Sequence, residues 1–282
     1  MSSSVDPSTE DYGREMRVYN QFMEPLYRQA LAHLPFQGSV RGLDAGCGPG
    51  GLLPLLCHLM GDRGEITALD ASPAHLEAAQ QLCEQKDLTS RITLKQADLR
   101  TTLPFADDTL DWVWAADVLH PGYFPTPDDP VSEFVRVTRP GGHVVIFFER
   151  MYESKMFPGQ PYLDTLHRRY FDYHGRNLTF DNQPNNLHIW LKRNGCEAVQ
   201  LHAFTMIHAS PLTSEARHYL QDSVAGWFAK TPMDKVTAAG ISEDEWQALL
   251  ESVDPESPDC VFDHPDYYCR WMALMAIGRK PT

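Results

Sequence analysis

The chain has 282 residues, and its hydrophobic content of 43% is ordinary for a globular protein with an apolar core. Its 38 acidic and 24 basic side chains give a formal net charge of −14, which argues against a nucleic-acid partner because such a surface repels phosphates. We expect a soluble, cytoplasmic protein without a membrane span or a metal site, because the sequence has no leader pattern, no apolar stretch near ~20 residues and no Cys-x-x-Cys pair.

The first predicted element in chain order is a helix over 11–34, where apolar residues recur at helical spacing. Strands and helices alternate after it. The predicted strands are 40–45, 65–70, 92–96, 110–116 and 143–149, and the predicted helices between them are 50–60, 73–86 and 129–137. Because strands that alternate with helices form right-handed crossovers, this order predicts an α/β fold with a mostly parallel sheet.

The alternation stops after residue 149. Residues 150–185 are rich in aromatic side chains, histidine and arginine but show no period, so no element is predicted there. The later predictions are helices near 186–194, 214–229 and 242–253 and strands at 198–207 and 271–278. We interpret 1–38 as an N-terminal helical lid segment, 39–149 as the cofactor-binding core, and 150–282 as the rest of the core sheet with substrate-lid insertions.

The most specific motif is Asp-x-Gly-x-Gly-x-Gly at 44–50, between the first predicted strand and the next helix. Gly46 permits a tight turn, and Gly48 lets a ligand approach the backbone. The helix that follows presents free N–H groups to an anionic ligand group. Asp70 ends the second predicted strand, where a carboxylate can accept hydrogen bonds from a ribose diol. Together these features predict a site for a nucleoside-bearing cofactor.

A nicotinamide cofactor is the alternative, because Gly46, Gly48 and Gly51 also satisfy the G-x-G-x-x-G pattern. Three features disfavour an NAD(P)-dependent oxidoreductase. Asp44 stands two residues before the first glycine, a long helix precedes the first strand, and the sequence has no Tyr-x-x-x-Lys pair for reductase chemistry.

Four motifs, in order and with ordinary spacing, resemble those of class I S-adenosylmethionine-dependent methyltransferases, especially the ubiquinone/menaquinone-biosynthesis methyltransferase-like (type 11) group. The motifs are LDAGCGPGG at 43–51, ITALDASPAHL at 66–76, QADLRTTLPFADDTLDWVWAADVLH at 96–120 and RVTRPGGHVVIFF at 136–148. The resemblance implies a Rossmann-like, seven-stranded, mostly parallel sheet with helices on both faces, an antiparallel last strand at 274–279 and a lid.

The same resemblance implies S-adenosyl-L-methionine as cofactor and S-adenosyl-L-homocysteine as product. The residues that it assigns to the cofactor, from the methionine end through the ribose to the adenine, are Asp44, Gly46, Cys47, Gly48, Ala116, Asp70, Ala71, Asp98 and Leu99. Asp70 would hold the ribose hydroxyls, and the Asp98 carboxylate would accept a hydrogen bond from the exocyclic amine of the adenine.

Methyl transfer from a sulfonium is an in-line displacement, so the protein mainly aligns the reactants and excludes water. A hydroxyl or carbon acceptor also needs a general base. His120 follows the fourth predicted strand, where ligands bind in open α/β sheets, and it is the predicted base. Glu149, at the end of the fifth predicted strand, is the alternative base, and a packing role for His120 stays open.

The acceptor is predicted to be a small molecule. Aromatic side chains of 147–190 suit a flat acceptor, and the basic residues among 167–176 suit an acidic one. The segment Ala116–Pro121 lacks the Asn/Asp-Pro-Pro-Tyr motif typical of methyltransferases that act on amide or nucleobase nitrogen. The sequence leaves open the acceptor atom, the oligomeric state, and a member of the fold that does not methylate.

Overall fold

The computed structural model describes residues 10–36, 41–175 and 178–282. It divides into two units. The first unit comprises the described residues up to Glu149 together with Phe180–Phe204 and Ala273–Thr282, and the second comprises Arg150–Thr179 and Thr205–Met272.

The strands form one seven-stranded sheet. In chain order they are β1 (Arg41–Ala45), β2 (Glu65–Asp70), β3 (Ile92–Gln96), β4 (Leu110–Ala116), β5 (Thr138–Glu149), β6 (Glu197–Ala209) and β7 (Tyr268–Arg279). Their order across the sheet is β3-β2-β1-β4-β5-β7-β6. The strands β1 to β5 pair in parallel, and β7 runs antiparallel to β5. The predicted fold class, a mostly parallel sheet of seven strands with an antiparallel last strand, is confirmed.

The described α-helices are α1 (Glu10–Leu31), α2 (Leu53–Met60), α3 (Pro73–Gln85), α4 (Asp128–Val137), α5 (Pro161–Gly175), α6 (Leu187–Arg193), α7 (Ser214–His218), α8 (Gly226–Ala229), α9 (Met233–Ala238) and α10 (Glu243–Val253). A π-helical segment, Tyr219–Ala225, joins α7 to α8. Among the described helices, none combines the length and the apolar character that crossing a membrane requires.

Most predicted elements agree with the structure, and β2, β3 and β4 begin and end at the predicted residues. Ser72 is the N-cap residue of α3, because its hydroxyl accepts the His75 backbone N–H. Val40, the first residue of the first predicted strand, lies outside the described residues.

Several boundaries were wrong. α2 begins at Leu53 rather than at the predicted residue 50, because Gly50 has a φ of +82°, which is not helical. Pro54 lies in the first turn of the helix. α4 begins at Asp128, one residue before the predicted start at residue 129. β5 begins at Thr138 rather than at the predicted residue 143, so Pro140, Gly141 and Gly142 lie within the strand. The helices α5 and α9 were not predicted.

The centre of the first unit shows why β1 contains a glycine. Gly42 pairs with Trp112 of β4, and a Cβ atom on Gly42 would lie only 1.9 Å from Trp112 Cζ2. The Phe36 ring stacks on the Trp112 indole, with 4.4 Å between the ring centroids and an interplanar angle of 7°. The absence of a side chain at Gly42 therefore makes room for a buried indole between neighbouring strands.

Candidate active site

The glycine loop follows β1 and turns through three residues with positive φ, namely Gly46, Gly48 and Gly50. The N–H groups of Gly46 and Cys47 both donate to the Leu69 carbonyl, each at 2.8 Å, and so fix the loop to the end of β2. A Cβ atom on Gly48 would meet no atom within 4 Å. The loop is therefore held in a conformation that leaves space beside Gly48, where a ligand can reach the backbone.

Segments that follow β3 and β4 lie against this loop. A Cβ atom on Gly46 would lie 2.3 Å from Val118 Cγ1 and 3.6 Å from Leu99 Cδ1. Val118 comes two residues after Ala116, the last residue of β4. The structure thus brings together two of the predicted cofactor residues, Gly46 and Leu99, and places the segment that follows Ala116 beside them.

Asp70 joins the loops that follow β1 and β2. Its Oδ2 accepts the Gly48 N–H at 2.9 Å, and its Oδ1 accepts the Ser72 N–H at 2.9 Å. The buried His75 places its Nδ1 3.1 Å from the same Oδ1. Sequence reasoning missed His75, although its place in the first turn of α3 is a signal. Since a carboxylate offers about four acceptor positions, these contacts leave room for a ligand hydroxyl.

Asp98, the predicted adenine acceptor, lies after β3 in an ion pair that the sequence did not reveal. The Arg100 Nη2 atom is 2.6 Å from Asp98 Oδ2. Hydrogen bonds from Arg100 lower the pKa of Asp98, so this carboxylate is ionised at neutral pH. Ala71, the predicted cofactor residue that follows Asp70, accepts a hydrogen bond from Gln96 Nε2 at 3.1 Å through its backbone carbonyl.

Asp44 is a buried carboxyl group at the methionine end of the predicted site. Burial, and then the negative charge of Asp70, raise the pKa of Asp44 to about 7. Its Oδ2 has no hydrogen-bond partner among the residues that the structure describes. Burial and the Asp44 charge also raise the pKa of the Cys47 thiol, so Cys47 is a neutral thiol rather than a thiolate at neutral pH.

His120, the predicted base, follows β4 and is partly buried. Its Nδ1 accepts the Gly122 N–H at 3.1 Å, so the neutral ring carries its proton on Nε2. Burial lowers the pKa of His120 to about 4. At neutral pH the ring is therefore neutral with its proton on Nε2, whereas a general base acting at Nε2 needs a lone pair there. The catalytic role of His120 stays a prediction, and this tautomer favours a donor over a base.

Asp117 directly follows β4 beside the predicted Ala116, and the sequence did not single it out. It has a φ of +56°, and its Oδ2 accepts the hydroxyl protons of Tyr19 at 2.8 Å and Tyr27 at 3.3 Å. Its Oδ1 accepts the backbone N–H of Glu149, the alternative predicted base, at 2.6 Å. Burial raises the pKa of Asp117 to about 6. One signal was available, since Asp117 directly follows a buried strand beside the predicted Ala116.

The helix α1 lies against the same edge of the sheet. A Cβ atom on Gly51 would lie 2.4 Å from Asn20 Nδ2, and one on Gly13 would lie 3.8 Å from His75 Cδ2. Tyr19, which precedes Asn20, donates a hydrogen bond to Asp117. The helix α1 therefore contacts the segments that follow β1, β2 and β4, which carry the predicted cofactor residues.

Comparison with known proteins gives a family for this region and a fold for the chain. Residues 43–142 match the protein family described as "Methyltransferase domain". The chain is 36% identical over 128 residues to phosphatidylethanolamine N-methyltransferase of Cereibacter sphaeroides, an alignment that covers 45% of this chain and 59% of the relative. It is also 36% identical over 135 residues to malonyl-[acyl-carrier protein] O-methyltransferase of Enterobacter lignolyticus, with coverage of 46% and 49%.

Among solved structures, the [4+2]-cyclase SpnF has the same fold, with a TM-score of 0.52 and 19% identity, over 92% of this chain and 81% of that one. The chain spans about half the length of the curated relatives that it matches. The matched residues run from Leu43 to Gly142, and so include the glycine loop, Asp70, Asp98 and Asp117.

Proposed function

We propose that this chain, whose residues 43–142 match the family described as "Methyltransferase domain", transfers a methyl group from S-adenosyl-L-methionine to a small-molecule acceptor. The observation that carries the proposal is the junction of the glycine loop with Asp70, where Asp70 Oδ2 holds the Gly48 N–H at 2.9 Å. This junction sets a carboxylate beside an open stretch of backbone, which suits a ribose and the chain attached to it.

The residues present fit that cofactor. The buried Oδ2 atom of Asp44 has no hydrogen-bond partner among the described residues, as expected for an acceptor that a bound ligand would satisfy. Gly48 borders open space, and Cδ1 of Leu99, a predicted adenine contact, would lie 3.6 Å from a Cβ atom on Gly46. When bound, the cofactor supplies the methyl group and its own sulfur leaving group. The role of the chain is to align the acceptor and exclude water.

The proposal is tested by ligand-dependent thermal stability. S-adenosyl-L-homocysteine at 100 times its Kd should stabilise the protein by roughly 2.7 kcal/mol, whereas NADH should not, because only a ligand of the native state raises the melting temperature. Asp70→Ala should weaken that binding by ~1.5–3 kcal/mol, the range for a hydrogen bond to a charged group. The exposed Asp62→Ala serves as the matched control.

Three outcomes distinguish the alternatives. Stabilisation by NADH alone would support the oxidoreductase and reject the methyltransferase. Stabilisation by S-adenosyl-L-homocysteine without methyl transfer to any acceptor would support a member of the fold that does not methylate. An unchanged affinity in Asp70→Ala would remove Asp70 from the ribose site while leaving the family assignment intact.

The small-molecule acceptor is supported by the acidic composition and by the family. The net charge of −14 disfavours nucleic acid. The two relatives are named for transfer to nitrogen and to oxygen, so their names leave the acceptor atom open. The predicted aromatic or acidic character of the acceptor, and the catalytic roles of His120 and Glu149, belong to the same proposal.

A further inference from the structure

We propose that the second unit carries a binding site for a small organic cation, in which an ammonium group is attached to an apolar or aromatic body. The site is a cavity within that unit, lined by residues among 157–160 and 258–268. This inference goes beyond the proposed methyl transfer, because none of the residues assigned to S-adenosyl-L-methionine lines the cavity.

The size of the cavity suits a small molecule. Its volume is about 720 Å³, within the range of ~300–1,000 Å³ that is typical of ligand pockets. A smaller cavity of about 320 Å³ adjoins it, since Pro265, Asp266, Tyr267 and Tyr268 line both. Ile207, which is 64% exposed, lines the smaller cavity and gives it an apolar surface.

The charge of the lining favours a cation. Residues 236–269 contain nine aspartates and glutamates but no lysine or arginine. This segment supplies most of the lining, including Asp259, Asp263 and Asp266, and no lysine or arginine lines the cavity. A concave surface that carries charges of one sign concentrates counter-ions, so the cavity attracts a positively charged ligand.

Two of the three carboxylates are available to such a ligand. Arg217 neutralises Asp263 through two hydrogen bonds, 2.6 Å to Oδ1 and 3.0 Å to Oδ2. Asp259 and Asp266 each donate a backbone N–H to a side chain of the same loop. Their own side chains are exposed and form no hydrogen bond or ion pair with a described residue. An ammonium group can therefore bind these two carboxylates without breaking an existing ion pair.

Aromatic residues complete the lining. Tyr268 is 40% exposed, so its ring is open to a ligand, and aromatic rings attract organic cations. Tyr267 is 5% exposed and packs against Phe262 with 5.4 Å between the ring centroids. The buried Tyr267 hydroxyl has no oxygen or nitrogen partner among the described residues, as expected for a donor that a ligand would satisfy.

The arrangement suits an organic cation better than a metal ion. Among the residues that the structure describes, no three histidine, cysteine, aspartate or glutamate side chains are grouped as a metal ion requires. His264, which lines the cavity, accepts the Asp266 N–H on Nδ1 at 3.1 Å. Its neutral ring therefore carries a proton on Nε2 instead of a lone pair for a metal ion.

The experiment is a calorimetric titration of the full chain with three ligands that share one aromatic body, namely phenethylamine, 2-phenylethanol and 3-phenylpropionate. Phenethylamine should bind most tightly and 3-phenylpropionate should not bind, because only the charge differs in sign. An increase in NaCl from about 0.05 to about 0.5 M should weaken the binding of phenethylamine but not that of 2-phenylethanol, since salt screens exposed charges.

Variants locate the bound ligand. Asp259→Asn and Asp266→Asn should each weaken the binding of phenethylamine by about two- to fivefold, the range for an exposed ion pair, and the double variant should lose more. Tyr268→Leu should weaken it by about two- to fivefold as well, because it removes a cation–π contact. Asp244→Asn, which removes the same charge from an exposed position of α10, is the matched control and should bind like the unmodified chain.

The following outcomes overturn the site. Equal binding of phenethylamine and 3-phenylpropionate would show that charge does not select the ligand. An unchanged phenethylamine affinity in the double variant would place the ligand elsewhere, for example at the candidate active site. Binding of Ca²⁺ without binding of phenethylamine would identify a metal site instead. None of these results bears on the binding of S-adenosyl-L-homocysteine, whose absence is a failure of the proposed function alone.

Discussion

At the scale of single residues, the buried carboxyl groups determine how the predicted site responds to protons. Asp44 is 2% exposed, and burial together with Asp70 raises its pKa to about 7. A raised pKa means that the folded state binds a proton more tightly than the unfolded state. Ionisation of Asp44 therefore lowers the stability of the ligand-free protein as the pH rises from about 4 to about 7.

Replacement of Asp44 by asparagine tests this loss of stability. Relative to the unmodified chain, Asp44→Asn should have a free energy of unfolding that is higher at pH 8 than at pH 5 by roughly 2–3 kcal/mol. The comparison between the two pH values removes the constant cost of burying an amide. Chemical denaturation at each pH provides the measurement, with the exposed Asp62→Asn as control. Equal changes at both pH values would show that Asp44 is already ionised at pH 5.

At the scale of elements, neighbouring strands accept only certain side chains. Gly42 on β1 faces Trp112 on β4, and Trp112 is completely buried. A methyl group at Gly42 would overlap the indole, with 1.9 Å between the new Cβ and Cζ2. By contrast, Gly226 at the start of α8 has a helical φ of −59° and open space around its missing Cβ atom.

These two glycines form a matched pair of alanine substitutions. Gly42→Ala should destabilise the protein by ~1–3 kcal/mol or more, because overpacking displaces the indole and the backbone of both strands. Gly226→Ala should stabilise by about 0.5–1 kcal/mol, since alanine loses less backbone entropy in a helix. Thermal denaturation of both variants measures the contrast. A melting temperature of Gly42→Ala equal to that of the unmodified chain would contradict the packing described for β1 and β4.

The elements also show which features the sequence predicts. The bounds of β2, β3 and β4 follow from short apolar runs between turn residues, which is local information. The helix α5 was not predicted, because histidine, arginine and aspartate interrupt its sequence. Its buried residues nevertheless recur at helical spacing, namely Leu163, Leu166, His167, Tyr170 and Phe171. Its helical state depends on packing within the second unit, such as the stacking of Phe171 on Trp227 at 5.4 Å.

The same distinction applies to the candidate site. The glycine loop and Asp70 are local motifs at the ends of consecutive strands, so the sequence places them and the structure brings them together. The contacts of Asp117 join positions 98 and 90 residues apart, and no local pattern encodes a contact at that separation. The tautomer of His120 was also hidden, because it depends on the fold of the turn that contains Gly122.

At the scale of the whole molecule, the free energy of unfolding depends on pH through ionisations that act in opposite directions. Burial raises the pKa of Asp44 to about 7 and that of Asp117 to about 6, so these groups lower stability as the pH rises. The histidines whose pKa is lowered by burial are His120, His143, His167, His188 and His202. Each of these histidines makes the protein more stable as the pH rises, because the unfolded state binds the histidine proton more tightly than the folded state does.

His167 of α5 provides the clearest test of this balance. It is 3% exposed, its ring lies 4.7 Å from Phe171 and 6.0 Å from Phe228, and its Nε2 has no hydrogen-bond partner among the described residues. Burial lowers its pKa from 6.5 to about 4. The stability that the neutral ring contributes is therefore complete above about pH 6.5 and is lost as the pH falls toward 4.

His167→Phe keeps an aromatic ring but removes this titration. Relative to the unmodified chain, the variant should be more stable at pH 4.5 than at pH 7.5 by roughly 2 kcal/mol, because phenylalanine has no proton to gain on unfolding. Denaturation at both pH values gives the global difference, and amide exchange of α5 gives the local one. The exposed His58→Phe should show no such gain in acid. If His167→Phe and the unmodified chain lose stability in parallel between these pH values, the acid sensitivity of the protein arises from groups other than His167.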